Sequence, residues 1–262
     1  MDILVCVRRV PDTSENEIKL NAEGNDIERD ELVYSVNEPD NYAVEEALQI
    51  RDRVGGTVTV VTVGGEEDEE VLRRELAMGA NQAALISDDA FSASDGRGIA
   101  TILKSFVQKG HYDLILTGVQ ADDGASQIGG MLAAMLDYPF ASLVNSITVE
   151  GGKLRISREV EGGNREINEI ELPCVLSIQT GINEPRYVGM RGIRQVASVP
   201  IPTLRTTDIG VDHSAVGERA AKVKRIDYFV PTLGNAAEML KGSREENAER
   251  VLELIGAKGG LK

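Results

Sequence analysis

Short apolar runs recur along the first half of the chain, at Ile3 to Val7, Thr57 to Val63, Ala83 to Ile86 and Leu114 to Leu116. A strand that is apolar at consecutive positions has no solvent-facing side, so these runs predict strands buried on both faces, as in a parallel sheet. Between them the period lengthens to that of a helix. Ala43, Ala47, Ile50 and Val54 form one stripe, Ile99, Ile102, Leu103 and Phe106 a second, and Ile128, Met131, Leu132 and Met135 a third. Strand and helix alternating from residue 1 to about 138 predict an α/β fold with a mostly parallel sheet flanked by helices, Rossmann-like and suited to an adenine nucleotide.

After Pro139 the pattern changes. Ala141 to Val149, Lys153 to Val160 and Glu166 to Leu172 read as short strands separated by Gly151-Gly152 and Gly162-Gly163, which predicts antiparallel hairpins added to the sheet. Cys174 to Ile178 reads as one more buried strand, and Gly181 to Pro185 breaks regular structure. Residues 196 to 234 hold Pro200, Pro202 and Pro231 with little apolar periodicity, so this segment is expected to lie along another surface rather than build a core. A terminal helix is expected over Ser243 to Ile255, with Ala248, Val251, Leu252 and Ile255 on one face and Gly256 as its stop. The expected organisation is a nucleotide-binding domain over 1–184, a recognition loop and helix over 185–198, and an extended C-terminal arm over 199–262 that docks on a partner.

Composition narrows the function. A net charge of −15 opposes binding to a phosphate backbone, so nucleic acid is not an expected partner. Only 4% of residues are aromatic and tryptophan is absent, which leaves few side chains to enclose a flavin ring, so much of any flavin contact would come from another chain. Cys6 and Cys174 both lie in apolar runs and fit buried, reduced thiols in a cytoplasmic protein better than a disulfide framework. The opening MDILVCV lacks a basic flank and is too short for a signal segment, and no stretch reaches the length of a membrane span. His111 and His213 sit at no metal-ligand spacing with another His or Cys, so no metal site is expected.

Enzyme signatures mostly fail. Gly124-Ala125-Ser126-Gln127-Ile128 approaches a nucleophile elbow but lacks the closing glycine, and neither a phosphate-binding P-loop nor the dinucleotide glycine fingerprint follows the first strand. The strongest anion-binding candidate follows Leu114 to Leu116: Gly118, Val119, Gln120, Ala121, Asp122, Asp123, Gly124, Ala125, Ser126, Gln127 and Ile128 form a Gly- and Asp-rich turn leading into a helix. Such a turn aims unpaired backbone N–H groups and the positive helix end at an anion, and Ser126 adds a hydroxyl. Together with the loops after Val7 and Val63 and with Asn37 and Asp40, it would line a crevice at the carboxyl ends of the strands. A second reading stands beside it, in which Asp122 and Asp123 only cap the helix.

Pro185 to Thr207 carries Arg186, Arg191, Arg194 and Arg205 and no acidic residue, an exception in so acidic a chain. With Tyr187 and Met190 as apolar anchors it fits an acidic partner; alternatively its arginines pair with carboxylates of this chain.

Residues 155 to 187, RISREVEGGNREINEIELPCVLSIQTGINEPRY, resemble the signature region of electron transfer flavoprotein beta subunits, the family that includes FixA. The start LVCVRRVPD, the helix NEPDNYAVEEAL, the turn ELAMGANQA and the loop GVQADDGASQIGG are similar to the corresponding family blocks, so the resemblance spans nearly the whole chain. It implies an electron carrier rather than an enzyme: a heterodimer in which the alpha subunit holds most of the redox FAD while the beta subunit holds AMP in a structural role. By resemblance the AMP would be touched by Cys6, by the turn Asn37, Glu38, Pro39 and Asp40, by Val63, and by Gly118 to Ile128. The resemblance also implies docking on acyl-CoA or other flavin dehydrogenases through Arg186, Tyr187, Met190, Arg191 and Arg194, with Met190 as the apolar anchor, and delivery to an electron transfer flavoprotein-quinone oxidoreductase. Two features depart from the family pattern. The loop from Ala121 to Gly129 is one residue shorter, and the anchor is Met rather than Leu, which an unbranched thioether accommodates. A bifurcating relative with a second FAD and NADH in place of AMP, and a free-standing nucleotide-binding or hydrolytic α/β protein, are the alternatives.

Overall fold

The structure is a computed structural model, which describes residues 1–121, 124, 126–231, 237 and 239–260. The chain forms two compact units, one of Met1–Lys19 and Glu28–Ile226, the other of Leu20–Ile27 and Asp227–Lys262.

The larger unit runs β1 (Asp2–Cys6), β2 (Arg9–Pro11), β3 (Tyr34–Val36), α1 (Glu38–Val54), β4 (Thr57–Val63), α2 (Glu69–Met78), β5 (Gln82–Ile86), α3 (Gly96–Val107), β6 (Leu114–Gly118) and α4 (Ile128–Leu136). It continues with β7 (Phe140–Glu150), β8 (Lys153–Val160), β9 (Asn164–Glu171), β10 (Cys174–Ile178), α5 (Met190–Val196), β11 (Thr203–Leu204) and α6 (Thr206–Ile209). Among the described residues one nine-stranded sheet has the order β11-β5-β4-β1-β6-β10-β7-β8-β9, and β2 and β3 form a separate antiparallel pair. All neighbours from β11 to β7 are parallel; β8 and β9 extend the sheet as an antiparallel meander. The apolar runs and the Gly-Gly turns thus fold as the sequence predicts.

Each central strand is apolar at consecutive positions because both its faces are covered. Ile3 and Val5 of β1, Val58 and Val60 of β4, and Leu114 and Leu116 of β6 point to a core shared with Ala43, Ala47, Leu48 and Ile50 of α1 and Leu72 and Leu76 of α2. Leu4, Val61, Ile115 and Val175 point to the other face, against Ile102, Leu103 and Phe106 of α3 and Leu132 of α4. The period-two alternation of a strand therefore divides one run of residues between two cores.

Four elements were not legible in the apolar pattern. The stripe of α2 (Val71, Leu72, Leu76) is interrupted by Glu75, which is fully buried. The β2–β3 pair is only three residues long on each side. The two-residue β11 is recruited onto β5 by Leu85 N donating to Pro202 O (3.0 Å) and Ser87 N to Leu204 O (2.9 Å). Residues 199–226 belong to the larger unit, and Ile209, Val211 and Val216 are buried in the second core.

In the smaller unit, Leu20 and Ile27 form an antiparallel bridge and Tyr228 N donates to Gly24 O at 3.2 Å. Its helix α7 (Arg244–Ala257) starts at Ser243 in a capping box: Ser243 Oγ accepts from Glu246 N (3.2 Å), and Glu246 Oε2 accepts from Ser243 N (2.8 Å). Gly256 is not the stop, because the helix runs through it to Ala257. Among the described residues no helix is long and apolar enough to cross a membrane.

Candidate functional site: a nucleotide crevice and a docking segment

The chain leaves β1 toward β4 and β5 on one side and returns to place β6 on the other, so the topology reverses between β1 and β6. In open α/β sheets the loops diverge at such a point and leave a crevice beyond the carboxyl ends of the strands. Here the first turn of α1 joins the two loops. Asp40 Oδ2 accepts from Arg8 N, after β1, and Asp40 Oδ1 accepts from Gly118 N, at the end of β6, each at 2.9 Å. Asn37, three residues earlier, donates its backbone N–H to Arg8 O (2.8 Å) and its Nδ2 to Gln120 O (2.9 Å). Both side chains are buried. Asn37 makes no side-chain cap to its own helix, and its amide is engaged by the loop after β6 instead.

Burial pushes the Asp40 carboxyl up to about 7, against the opposing effect of its hydrogen bonds from Gly118, Asn37 and Arg8. Cys6 ends β1 beside it, and desolvation, with the Asp40 charge as a smaller cause, raises its thiol to about 12. Val63 ends β4 and is half-buried against the second core. The loop after it closes on Asp68, whose Oδ2 accepts from Gly65 N at 2.8 Å. Glu38 is exposed and Pro39 half-buried, in the first turn of α1.

In the loop after β6, Val119 N is engaged by Ile178 O (2.9 Å), Gly124 N by Ala121 O (3.0 Å), and Ser126 Oγ donates to Gln120 Oε1 at 3.4 Å. Asp122, Asp123 and Ala125 lie outside the described residues. Helix α4 opens without a side-chain cap from Gln127, so the N–H groups of its first turn face outward from the helix start. Gly129 brings that turn close to the sheet: a Cβ there would lie 2.3 Å from Ser177 Oγ, itself 2.8 Å from Thr117 Oγ1. Arg8 is exposed, with Nη1 3.4 Å from where a Cβ on Gly124 would sit. An uncapped helix start, a glycine turn and a guanidinium thus converge, which fits the phosphate of a nucleotide.

The segment around α5 lies on the α1/α2 side of the sheet. Tyr187 is 93% and Met190 70% exposed, and Arg191 and Arg194 are exposed on α5. Arg186 is turned inward instead: its Nε and Nη2 donate to Glu45 Oε2 (2.8 Å) and Oε1 (3.0 Å), its backbone N–H also donates to Oε2 (3.1 Å), and Asp52 lies 3.7 Å away. Hydrogen bonding from Arg186 and Gln49 holds Glu45 below the usual carboxylate range despite its desolvation.

The family model of the electron transfer flavoprotein domain matches residues 25–209. The chain belongs to the electron transfer flavoprotein family. It is 35% identical over 257 residues to electron transfer flavoprotein subunit beta of Bacillus subtilis, with 97% of each chain covered. It is 36% identical over 246 residues to caffeyl-CoA reductase-Etf complex subunit CarD of Acetobacterium woodii, covering 93% of each, and 30% identical over 267 residues to protein FixA of Azotobacter vinelandii, covering 98% of this chain and 94% of the other. The resemblance seen in the signature region is therefore a relationship that runs nearly from end to end.

Within this electron transfer flavoprotein fold, Cys6, Asn37, Asp40, Val63 and the described residues from Gly118 to Ile128 lie at the carboxyl edge of the sheet, with Asn37 and Asp40 bonded to the loop after β6. The expectation missed Arg8. It carried a usable signal, a cation one residue past a buried strand that ends at the reversal point. It also did not name Glu45, which binds Arg186, or the Glu69–Arg73 pair, whose Arg73 reaches Val196 O; these contacts depend on α1 and α2 lying beside the segment around α5.

Proposed function

We propose that this chain is the beta subunit of a heterodimeric electron transfer flavoprotein that carries electrons from acyl-CoA or similar flavin dehydrogenases to a quinone-linked acceptor, and that its crevice holds AMP. The observation that carries the AMP reading is the double tie from Asn37 and Asp40 to the loops after β1 and β6, which shapes a crevice at the reversal point. FAD, shared with or held by the alpha subunit, supplies the redox chemistry. This chain's residues bind and orient. The first turn of α4 and Arg8 hold a phosphate, Asp40 and Asn37 keep the loops at a fixed separation, and the AMP fills the crevice so that the loops stay ordered. Docking of the dehydrogenase falls to the exposed Met190 and Tyr187, with Arg191 and Arg194 supplying charge complementary to an acidic partner. The 4% aromatic content supports a carrier whose flavin ring is enclosed mainly by its partner.

A second FAD, with NADH as electron donor, presents the same adenosine phosphate to the same loops. That reading keeps a place because the chain is as similar to the caffeyl-CoA reductase-Etf complex subunit as to the beta subunit of Bacillus subtilis. Co-expression with the alpha subunit, followed by release and mass identification of bound nucleotides, separates them. One FAD and one AMP per heterodimer supports the simple carrier. Two FAD and no AMP, together with NADH oxidation, replaces it with the bifurcating reading; no adenine nucleotide beyond one FAD removes the crevice assignment.

A further inference from the structure

The helix of the docking segment is held from outside. Helix α5 has seven residues and buries none of them, and a helix so short does not persist on its own propensity. Two guanidinium groups bracket it. At the start, Arg186 is fixed on Glu45 of α1. At the end, Arg73 of α2 reaches across: its Nη1 donates to Val196 O (2.9 Å), the last residue of α5, and to Val199 O (3.1 Å). The rest of the same guanidinium is taken by Glu69 one turn back on α2, with Nε donating to Oε1 at 2.8 Å. The planar fork thus satisfies a carboxylate on one edge and two carbonyls on the other, a task that the point charge of a lysine performs less well. Between the clamps, α5 lies close on α2, with a Cβ on Gly192 only 3.6 Å from Ala77 O. Val188, Val196 and Ile201 pack against the first core. Tyr187 and Met190 stand out between these points.

We infer that Arg73 is a positioning residue for partner docking: by fixing the carbonyl end of α5 it presents Met190 and Tyr187 in an ordered geometry before the dehydrogenase arrives. A segment that is ordered only on docking spends part of its contact energy on losing conformational freedom, and a clamped one does not. Arg73 touches neither the crevice nor any residue assigned to the nucleotide, so its loss should act on partner recognition alone. The inference rests on the proposed reading of Met190 as the docking anchor.

The test uses the heterodimer with its alpha subunit. Amide hydrogen exchange over residues 189–199 and steady-state reduction by a medium-chain acyl-CoA dehydrogenase are measured for the unaltered protein, Arg73→Ala, Arg73→Lys and Met190→Ala. Losing two charge-assisted bonds should speed exchange in the segment, and raise the KM for the dehydrogenase, each by roughly tenfold, with kcat and nucleotide content unchanged. Arg73→Lys should recover part of both effects, and it carries the comparison should Arg73→Ala fail to assemble. Unchanged exchange overturns the inference. So does faster exchange at constant KM when Met190→Ala raises KM. A Met190→Ala protein with the original KM removes the docking reading itself, an outcome that the exchange data distinguish from a failure of the clamp.

Discussion

Asp40 and Gly118 approach so closely that the second must be glycine. The carboxylate Oδ1 accepts from Gly118 N at 2.9 Å, and a Cβ on Gly118 would fall 2.3 Å from that oxygen and 2.8 Å from Pro39 Cβ. The contact ties the end of β6 to the start of α1 across the reversal point of the sheet. Gly118→Ala should therefore push the two elements apart, at a cost of about 1–3 kcal/mol for the overpacking. Urea unfolding should report this loss, and the purified heterodimer should retain less crevice nucleotide. A variant with unaltered stability and full nucleotide content would show that the loops are not held by this contact.

Glu75 lies fully buried on α2 with neither carboxylate oxygen hydrogen-bonded among the described residues. Burial raises its pKa to about 8, with the charges of Asp40 and Glu45 adding to the effect and Arg74 opposing it. The folded pKa lies above the unfolded one, so the group favours the fold most below about pH 4.5, and that contribution is lost as pH rises toward 8. Glu75→Met, close in volume and uncharged, should stabilise the protein by an increment near zero at pH 4.5. The increment should grow to a few kcal/mol, in order of magnitude, by pH 8 and then level off. Denaturation midpoints across that range check the slope, and an increment independent of pH would contradict it.

The Arg186–Glu45 pair predicts the opposite slope. Its carboxylate is buried and its guanidinium about a third exposed, so Arg186→Ala should cost about 1–3 kcal/mol at neutral pH, less than for a fully buried pair. Glu45 has a folded pKa below its unfolded value, so the pair's contribution is present above about pH 4.5 and fades as pH falls through the folded value. The difference between variant and original should shrink in acid, which thermal unfolding at pH 7 and pH 3.5 can measure.

Desolvation pushes both thiols up to about 12, with the Asp40 charge adding to the effect at the half-buried Cys6, while Cys174 is fully buried. Since the thiolate is the reactive species, alkylation of Cys6 and Cys174 by iodoacetamide at pH 8 should be slower than for an exposed thiol by on the order of a hundredfold or more, and should become fast only in denaturant. Mass spectrometry after timed quenching follows each site separately. Rapid modification of Cys6 in the folded protein would mean that its thiol is open to solvent at the crevice.

What the sequence determined by itself was whatever depends on local period and chain order. Consecutive apolar residues at Thr57–Val63 or Leu114–Leu116 have one economical fate, a strand covered on both faces, and the helical stripes between them require crossovers that make the sheet parallel. The residues near the strand ends follow from the same logic, which is why Asn37, Asp40 and the turn after Gly118 were expected at one end of the sheet, where hydrogen bonds join them. Helix α2 was obscured because Glu75 stands where the stripe needs an apolar side chain; only the packed interior shows that the position is buried and at what electrostatic cost. The arginines of the docking segment read alike in sequence. Tertiary structure alone separates Arg186, committed to Glu45 141 residues away, from the exposed Arg191 and Arg194, and brings Arg73 to carbonyls 123 and 126 residues further on. Local pattern fixes which face of an element is apolar. The partner of a charged side chain is set by which elements the folded topology lays side by side, and no spacing along the chain encodes that distance.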